Sequence, residues 1–105
     1  MIDRIKFFIQ RRNKEWFYVR KKFLKYNDEC EACGTKRKLE VHHVIPVKKR
    51  KDLELEETNL ITLCKYCHLI FGHFKNWNCY NVHVGIDAKS FRIKKEYQIR
   101  HIRNS

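Results

Sequence analysis

The sequence predicts an α+β fold, with two short strands and a helix at the centre and a basic segment on each side. Residues 39–47 alternate apolar with polar side chains and are rich in β-branched ones, as strands are. Residues 58–63 form a second β-branched run, and residues 14–26 carry apolar side chains at helical spacing. A chain of 105 residues has room for one sizeable core, so we expect a single domain over residues 1–105.

The first element is the helix over residues 14–26. Four of its apolar side chains fall on one face, and we expect this stripe to pack against the core. The stripe consists of Trp16, Val19, Phe23 and Tyr26. Asn13 is a suitable N-cap residue. Apolar residues at positions 2–9 predict a shorter helix upstream, so that residues 1–26 form a basic helical flank.

Four of the five cysteines form two C-x-x-C pairs separated by 30 residues. The pairs are Cys30 with Cys33 and Cys64 with Cys67. This spacing lets both thiolates of a pair reach one tetrahedral ion and is typical of zinc sites. The alternative is two disulfides. Charges interrupt residues 1–6, where a secretion signal needs an apolar run, so we expect the chain to stay in the cytosol. Because the cytosol is reducing, it disfavours disulfides. We therefore expect four thiolates to hold a structural Zn²⁺ that folding requires.

Two further residues belong to the cysteine pattern. Gly34 follows the first pair, where the backbone should need a positive φ to turn away from the metal. Cys79 is left over, and we expect it to be a small buried side chain.

Between and after the pairs, the order of elements is strand, loop, strand, helix. Pro46 ends the first strand, and a charged connection follows over residues 48–57. The second strand runs into Cys64. A helix then begins near Cys67, with Gly72 as its expected end.

These elements resemble the ββα-metal core of the HNH endonuclease family. The matching segments are Cys30-x-x-Cys33-Gly34, Leu39-Glu40-Val41-His42-His43-Val44-Ile45-Pro46, Asn59-Leu60-Ile61-Thr62-Leu63-Cys64 and Cys67-His68. The segment after Gly72 looks like that of small stand-alone members found in bacteria and their phages. The resemblance covers residues 30–77 and implies a ββα-metal core stapled by the four-cysteine zinc site, with residues 78–105 as a basic C-terminal extension.

The resemblance implies a metal-dependent endonuclease that hydrolyses DNA phosphodiester bonds, by nicking or by double-strand cleavage. In the family, the first residue of the His pair binds a divalent cation and the second is the general base. This implies His42 as a metal ligand and His43 as the base. Adjacent strand residues point to opposite faces, so both serve one site only if the strand is distorted there. Without the resemblance, one exposed and one core histidine would be the simpler interpretation.

The resemblance assigns the other motif residues as well. Asn59 would hold the base in position through its backbone carbonyl, or support the loop with its side chain; outside this context it would be an ordinary turn residue. His68 would be the second metal ligand, counted with His43 and Asn59 in the catalytic motif. The rival role for His68 is to replace a cysteine on zinc.

His73 is a third candidate ligand. Family members often place a further His four residues after the helix His, where this chain has Gly72. Five residues of α-helix would rotate His73 by roughly 140° from His68. If the helix ends at Gly72, His73 can instead turn back to the metal or touch a phosphate.

The catalytic cation implied by the resemblance is Mg²⁺ or Mn²⁺. A histidine-rich ligand set would also accept Ni²⁺. The base must be neutral to act, so activity should fall below about pH 6 as His43 becomes protonated.

The formal net charge is +12, and the surplus lies in two flanks. Residues 1–25 carry +7 and residues 74–105 carry +5, whereas the segment between them is neutral. Such flanks suit a polyanion, here DNA, although a basic surface can also be merely solvated. The C-terminal segment should be helical from Asp87 and fray at Arg100 and Arg103. The candidate DNA contacts are Arg11, Arg12, Arg20, Lys21, Lys22, Lys25, Lys48, Lys49, Arg50 and Lys51.

The alternative function is a non-catalytic zinc-ribbon module that binds nucleic acid. A double-strand break would need a homodimer or two successive nicks by a monomer, so both oligomeric states stay open. Other phage or host DNA-processing proteins are further candidate partners. No run approaches the roughly 18 apolar residues that span a membrane, so we expect no membrane partner and a location in the cytoplasm of a bacterial or phage-infected cell.

Overall fold

A computed structural model describes the backbone of residues 13–103 and the side chains of residues 13–100. The helix predicted before residue 13, and the candidate DNA contacts Arg11 and Arg12, lie outside these residues. Within the described part, the α+β prediction is confirmed. The helices and strands are α1 (Trp16–Tyr26), β1 (Leu39–His43), β2 (Leu60–Cys64), α2 (Lys65–Cys67, continued by His68–Gly72) and α3 (Val84–Arg103). Two 3₁₀ turns, Lys51–Leu53 and Glu57–Asn59, lie between the strands.

The two strands form an antiparallel pair in which His42 lies opposite Ile61 and His43 lies opposite Leu60. Every residue of β2 is buried, including the polar Thr62, whose hydroxyl donates to the Asn27 carbonyl at 2.8 Å. In β1, His42 is the buried residue. β1 ends before the predicted residue 47. The side-chain amide of Asn59 accepts from the backbone N–H of Ile45 at 2.9 Å and donates to the Ile45 carbonyl at 3.0 Å, in place of a further ladder partner.

Helix α2 has two parts. Its first turn is α-helical (Lys65–Cys67) and continues directly as a π-helical segment (His68–Gly72). The thiol of Cys64 caps the first turn by accepting from the Cys67 N–H at 3.5 Å. The helix therefore ends at Gly72, as the sequence predicts, but its second part is wider than an α-helix.

Helix α3 closes the core. Val84 and Ala88 have no exposed surface and lie one turn apart, facing the buried Leu63 and the first cysteine pair. The expected fraying at Arg100 and Arg103 is not observed, because the helix continues through Arg103. Among residues 13–103, no helix is both long enough and apolar enough to cross a membrane.

Helix α1 ends at Tyr26 as predicted but begins two residues later than predicted, at Trp16. Tyr26 is 70% exposed, so the expectation that it packs in the core is wrong, while the other three members of the stripe are half-buried. The helix ends at Tyr26 because Asn27 binds the Phe23 carbonyl with both its N–H and its side-chain amide. Asn13 is not the N-cap; its side chain accepts from the Glu15 N–H at 2.9 Å and so shapes the turn before the helix.

Candidate functional site

The four paired cysteines meet at one point. Their sulfur atoms all lie within 4.8 Å of one another, and those of Cys33 and Cys64 are 3.7 Å apart. Sulfurs bound to one zinc ion at about 2.3 Å in a tetrahedron are about 3.8 Å apart. Gly34 has a φ of 79°, as predicted, and its N–H donates to the Cys30 carbonyl at 2.9 Å. The geometry fits a structural zinc site.

The thiols titrate unequally. Burial opposes ionisation of Cys30, but backbone N–H groups, above all that of Cys33, outweigh it and lower the pKa of this thiol to about 7. Burial raises the pKa of the Cys67 thiol strongly, and the neighbouring Cys64 sulfur and Cys30 raise it further. Burial also raises the pKa of Cys33. Four crowded thiolates need a cation among them, which supports the zinc assignment.

Two cations of α3 lie beside the first cysteine pair. The Arg92 guanidinium donates to the Cys30 carbonyl at 3.3 Å and forms an ion pair with Glu29 at 2.7 Å. The Lys95 ammonium donates to the Cys33 carbonyl at 3.0 Å. A zinc ion with four thiolates carries a net charge of −2, so these cations would offset it. Sequence reasoning missed both residues, which are about 60 positions away from the cysteines.

A second cluster consists of three histidines. His42 comes from β1, His68 from α2 and His73 from the position just after α2, and one ring nitrogen of each lies within 4.8 Å of the others. The Nε2 atoms of His68 and His73 are 3.2 Å apart. His42 is 3% exposed, and its buried Nε2 has no hydrogen-bond partner among the described residues. The structure thus brings together His42 and His68, which the resemblance implied as metal ligands, and His73, the third candidate ligand.

Hydrogen bonds on the far side of two rings set their tautomers. His68 Nδ1 lies 3.3 Å from a Glu40 carboxylate oxygen, and His73 Nδ1 lies 2.6 Å from the Cys79 carbonyl. Both oxygens only accept, so each Nδ1 is the protonated nitrogen and each Nε2 of a neutral ring carries a lone pair. Such support is typical of metal-binding histidines. The donor set fits a divalent cation, because nitrogens about 2.1 Å from one ion are about 3 Å apart when they are adjacent ligands.

The π-helical segment explains how His73 reaches the cluster. The 140° rotation expected from an α-helix does not apply, because a π-helix pairs residues i and i+5 and places them on the same side. Gly72 leaves the necessary space. A β-carbon at Gly72 would lie 3.1 Å from His42 Cε1 and 3.2 Å from His68 Cδ2.

Two of the clustered histidines, His42 and His68, have lowered pKa values and are held neutral. Burial, aided by the nearby His68, His73 and His43, lowers the pKa of His42 to about 3. Burial also lowers the pKa of His68, although Glu40 partly opposes this. Neutral imidazole is the form that binds metal ions.

His43 points into different surroundings. Its Nε2–H donates to the Glu54 carbonyl at 2.9 Å, which makes Nδ1 the nitrogen with the lone pair, and its ring lies 4.4 Å from the Trp16 ring. The Asn59 carbonyl does not hold His43; it accepts from the Val44 N–H at 2.8 Å. Asn59 instead supports the loop through its side-chain amide, the second of the two roles left open.

The comparison with family models decides the identity of this core. Residues 30–73 match the model described as HNH endonuclease. This segment belongs to the HNH endonuclease family. The search of curated proteins and the search of solved structures gave no match. The HNH match begins at the first zinc cysteine and ends at His73, so it spans both clusters.

The HNH core depends on three residues that sequence reasoning did not select. Glu40 binds His68, and Glu54 supplies the carbonyl for His43. Asn81 is buried and joins α2 to α3: its side chain donates to the Phe71 carbonyl at 2.9 Å and to Asp87 at 2.8 Å, and its N–H donates to Gly72 at 3.0 Å. These contacts satisfy carbonyls at the end of α2. Glu40 lies within a segment that resembles the family but was given no role there, and no sequence motif marked Glu54 or Asn81.

Cys79 contradicts its prediction. Its side chain is exposed rather than buried. Its N–H donates to the Asn76 carbonyl at 2.9 Å, and the resulting turn directs the Cys79 carbonyl to His73. The backbone of Cys79 therefore contributes to the HNH site, and its thiol does not.

The candidate DNA contacts among the described residues fall into two groups. Lys21, Lys22 and Lys25 are exposed on α1, and Arg20 is half-buried. In the loop between the strands, Lys48, Lys49 and Lys51 are exposed. Arg50 is already engaged by both carboxylate oxygens of Asp52, at 2.9 and 2.8 Å, so it is the weakest of these candidates.

Proposed function

We propose that this chain is a metal-dependent endonuclease that hydrolyses DNA phosphodiester bonds with His43 as general base. One observation carries the proposal: the Nε2 lone pairs of His68 and His73 face each other at 3.2 Å, beside the unpartnered Nε2 of buried His42. Lone pairs in that arrangement repel unless a cation lies among them. The HNH match supports phosphodiester hydrolysis as the reaction that such a cation assists.

Different protein groups have different roles in the proposed hydrolysis. When bound, a divalent cation supplies Lewis-acid stabilisation of the charge that develops on the phosphate and the leaving oxygen. His42, His68 and His73 would hold it, and Glu40 and the Cys79 carbonyl orient two of these rings. His43 takes a proton from the attacking water at Nδ1. The Glu54 carbonyl stabilises the resulting imidazolium, because it accepts the hydrogen bond from Nε2–H in both charge states.

The proposed cation is Mg²⁺ or Mn²⁺. A set of three imidazoles favours Mn²⁺ or Ni²⁺ over Mg²⁺ in affinity, since Mg²⁺ prefers oxygen ligands. We therefore expect Mn²⁺ or Ni²⁺ to support activity at lower concentration than Mg²⁺.

DNA is the proposed substrate, and the exposed lysines of α1 and of the inter-strand loop are the proposed phosphate contacts. The active form is either a monomer that nicks one strand or a homodimer that cuts both strands.

The proposed location is the cytoplasm of a bacterial or phage-infected cell, because free thiols at the zinc site suit a reducing compartment. Other DNA-processing proteins of that cell are candidate partners.

The test is cleavage of supercoiled plasmid by zinc-loaded protein in Mg²⁺, Mn²⁺ or Ni²⁺. We compare the wild type with His43→Ala and with His83→Ala, which removes an exposed histidine outside both clusters. Loss of a general base costs about 10²- to 10⁴-fold in rate, and His83→Ala should cleave like the wild type. A folded protein that leaves the plasmid intact in all three metals would refute the nuclease.

The non-catalytic zinc-ribbon module is the second candidate. The observation in its favour is that His43 is not a member of the three-histidine cluster. It predicts salt-sensitive DNA binding without cleavage in any metal, so the same plasmid assay separates the two functions.

A further inference from the structure

Trp77 lies at the edge of the histidine cluster. Its ring centroid is 4.8 Å from that of His73 and 5.2 Å from that of His68. Although it contacts two candidate metal ligands, 59% of its surface is exposed. Trp77 therefore presents part of its ring to solvent directly beside two candidate metal ligands.

The turn that presents Trp77 has an unusual backbone. Phe74 and Lys75 have φ angles of 51° and 64°, in the left-handed region that bulky residues rarely adopt. Three backbone hydrogen bonds hold this turn: Phe74 N–H to Ile70, Lys75 N–H to Leu69, and Asn76 N–H to His73. Backbone strain that is held in this way is concentrated at functional sites. The turn fixes Trp77 beside His73 while the neighbouring Phe74 is also 56% exposed.

We propose that the exposed face of Trp77 stacks on an unpaired nucleotide base next to the phosphate that is cut. The preferred substrate is then single-stranded or locally unpaired DNA. An aromatic ring stacks on a base only when the face of that base is accessible, which is not the case inside a duplex. The proposal rests on the proposed nuclease function, since it assumes that DNA lies across the histidine cluster.

Two charge features agree with a nucleic-acid occupant. Lys75, in the same turn as Trp77, is exposed, so the rim beside Trp77 offers a cation to a phosphate. The chain as a whole carries a formal charge of +12. An aromatic ring beside a cation is the usual arrangement of single-strand binding surfaces.

The experiment uses Trp77 as its own probe. The chain has two tryptophans, so Trp16→Phe leaves Trp77 as the source of tryptophan emission. Zinc-loaded Trp16→Phe protein, without added divalent cation, is titrated with a single-stranded oligonucleotide of about 12 nucleotides and with the matching duplex. We expect saturable quenching of emission by the single strand and weaker binding of the duplex.

Affinity is then compared among variants of the wild-type chain by anisotropy of a labelled single strand. Trp77→Leu should lower the affinity about tenfold, whereas Trp77→Phe, which keeps a ring, should stay within about threefold. Tyr97→Leu is the matched control, because it removes a 62% exposed aromatic ring on α3, 20 positions along the chain from Trp77. It should leave the affinity for the labelled single strand unchanged. Zinc content and thermal unfolding confirm that each variant is folded.

The results separate this proposal from the nuclease itself. Unchanged Trp77 emission on binding, equal affinity for single strand and duplex, or full affinity in Trp77→Leu would each overturn the stacking role. If Trp77→Leu fails to fold, the emission of the Trp16→Phe protein still shows whether Trp77 contacts the bound single strand. Quenching without plasmid cleavage would refute the nuclease function but support the stacking role of Trp77. Cleavage without quenching would support the nuclease function and refute the stacking role.

Discussion

His68 and His73 present their Nε2 atoms to each other at 3.2 Å while each ring is held from behind, His68 by the Glu40 carboxylate and His73 by the Cys79 carbonyl. The two acceptors fix both protons on the Nδ1 atoms. Neither ring can rotate to relieve the contact without losing its hydrogen bond, so the cluster is arranged in advance for a cation. Preorganisation of this kind lowers the cost of binding.

Gly72→Ala tests the space that the cluster requires. The added β-carbon would lie 3.1 to 3.2 Å from atoms of His42 and His68, so it should displace the rings. We expect the affinity for Mn²⁺ at the histidines to fall at least about tenfold, measured by calorimetry on zinc-loaded protein, with zinc content unchanged. Gly85→Ala is the matched control, because nothing lies within 4 Å of its β-carbon. Equal Mn²⁺ affinity in the two variants would contradict the proposed packing.

Glu54→Ala tests the support of His43. The Glu54 side chain is 2% exposed, and its carboxylate accepts from the Asn13 N–H at 3.2 and 3.3 Å, which ties the loop to the start of α1. Its loss should lower the free energy of unfolding by about 1–3 kcal/mol. It should also lower kcat, because the carbonyl that holds His43 belongs to the same residue. Urea unfolding and cleavage rates measure the two effects.

The exposed Glu57→Ala is the control for this pair of measurements. It should leave both the unfolding free energy and kcat unchanged. A Glu54→Ala protein that is less stable but cleaves at the wild-type rate would show that the carboxylate does not help to position His43.

The lowered pKa of His42 predicts how stability depends on pH. Unfolded histidine takes up a proton below its ordinary pKa of 6.5, but folded His42, with a pKa of about 3, does not. The free energy of unfolding should therefore be highest above pH 6.5 and fall as the pH decreases toward 3. Between about pH 7.5 and 5.5 this one group should remove about 1.4 kcal/mol.

The measurement compares the wild type with His42→Gln by urea unfolding across that range. Acid release of zinc affects both proteins and cancels in their difference. The stability of the wild type relative to the variant should decrease as the pH falls. A difference that does not change with pH would mean that His42 titrates like an exposed histidine.

Cys64→Ser tests the zinc site. Zinc binding by small domains contributes about 10–16 kcal/mol, which exceeds the net stability of most domains, at about 5–15 kcal/mol. We expect the variant to lose both bound zinc and cooperative unfolding, measured by metal analysis and circular dichroism. Cys79→Ser is the matched control, because that thiol is exposed and outside the cluster. Cooperative unfolding of Cys64→Ser at wild-type stability would show that zinc is not structural.

The sequence was most informative where spacing along the chain encodes the structure. The two C-x-x-C pairs predicted the thiol cluster, and the alternation around His42 predicted β1. The sequence left the position of His73 open between two alternatives, because it does not show whether residues 68–72 form an α-helix or the π-helical segment that the structure has. Nothing in residue types alone distinguishes the two.

Two contacts could not be predicted because neither residue type nor local spacing along the chain specifies them. The group that holds His43 is the backbone carbonyl of Glu54, and every residue has a carbonyl. Arg92 reaches Cys30 across 62 positions of chain, and no local pattern specifies a contact at that separation.

One peptide bond joins the thiol cluster to the histidine cluster, since Cys67 and His68 are consecutive residues at the middle of α2. A backbone shift that moves Cys67 therefore also moves His68, which couples a candidate ligand of one cluster to a candidate ligand of the other. Occupancy of the two centres is therefore thermodynamically linked: if zinc at the thiols raises the affinity of the histidines for a divalent cation, that cation must raise the affinity for zinc by the same factor. A cell that withholds zinc would then weaken the second centre as well, without acting on it directly.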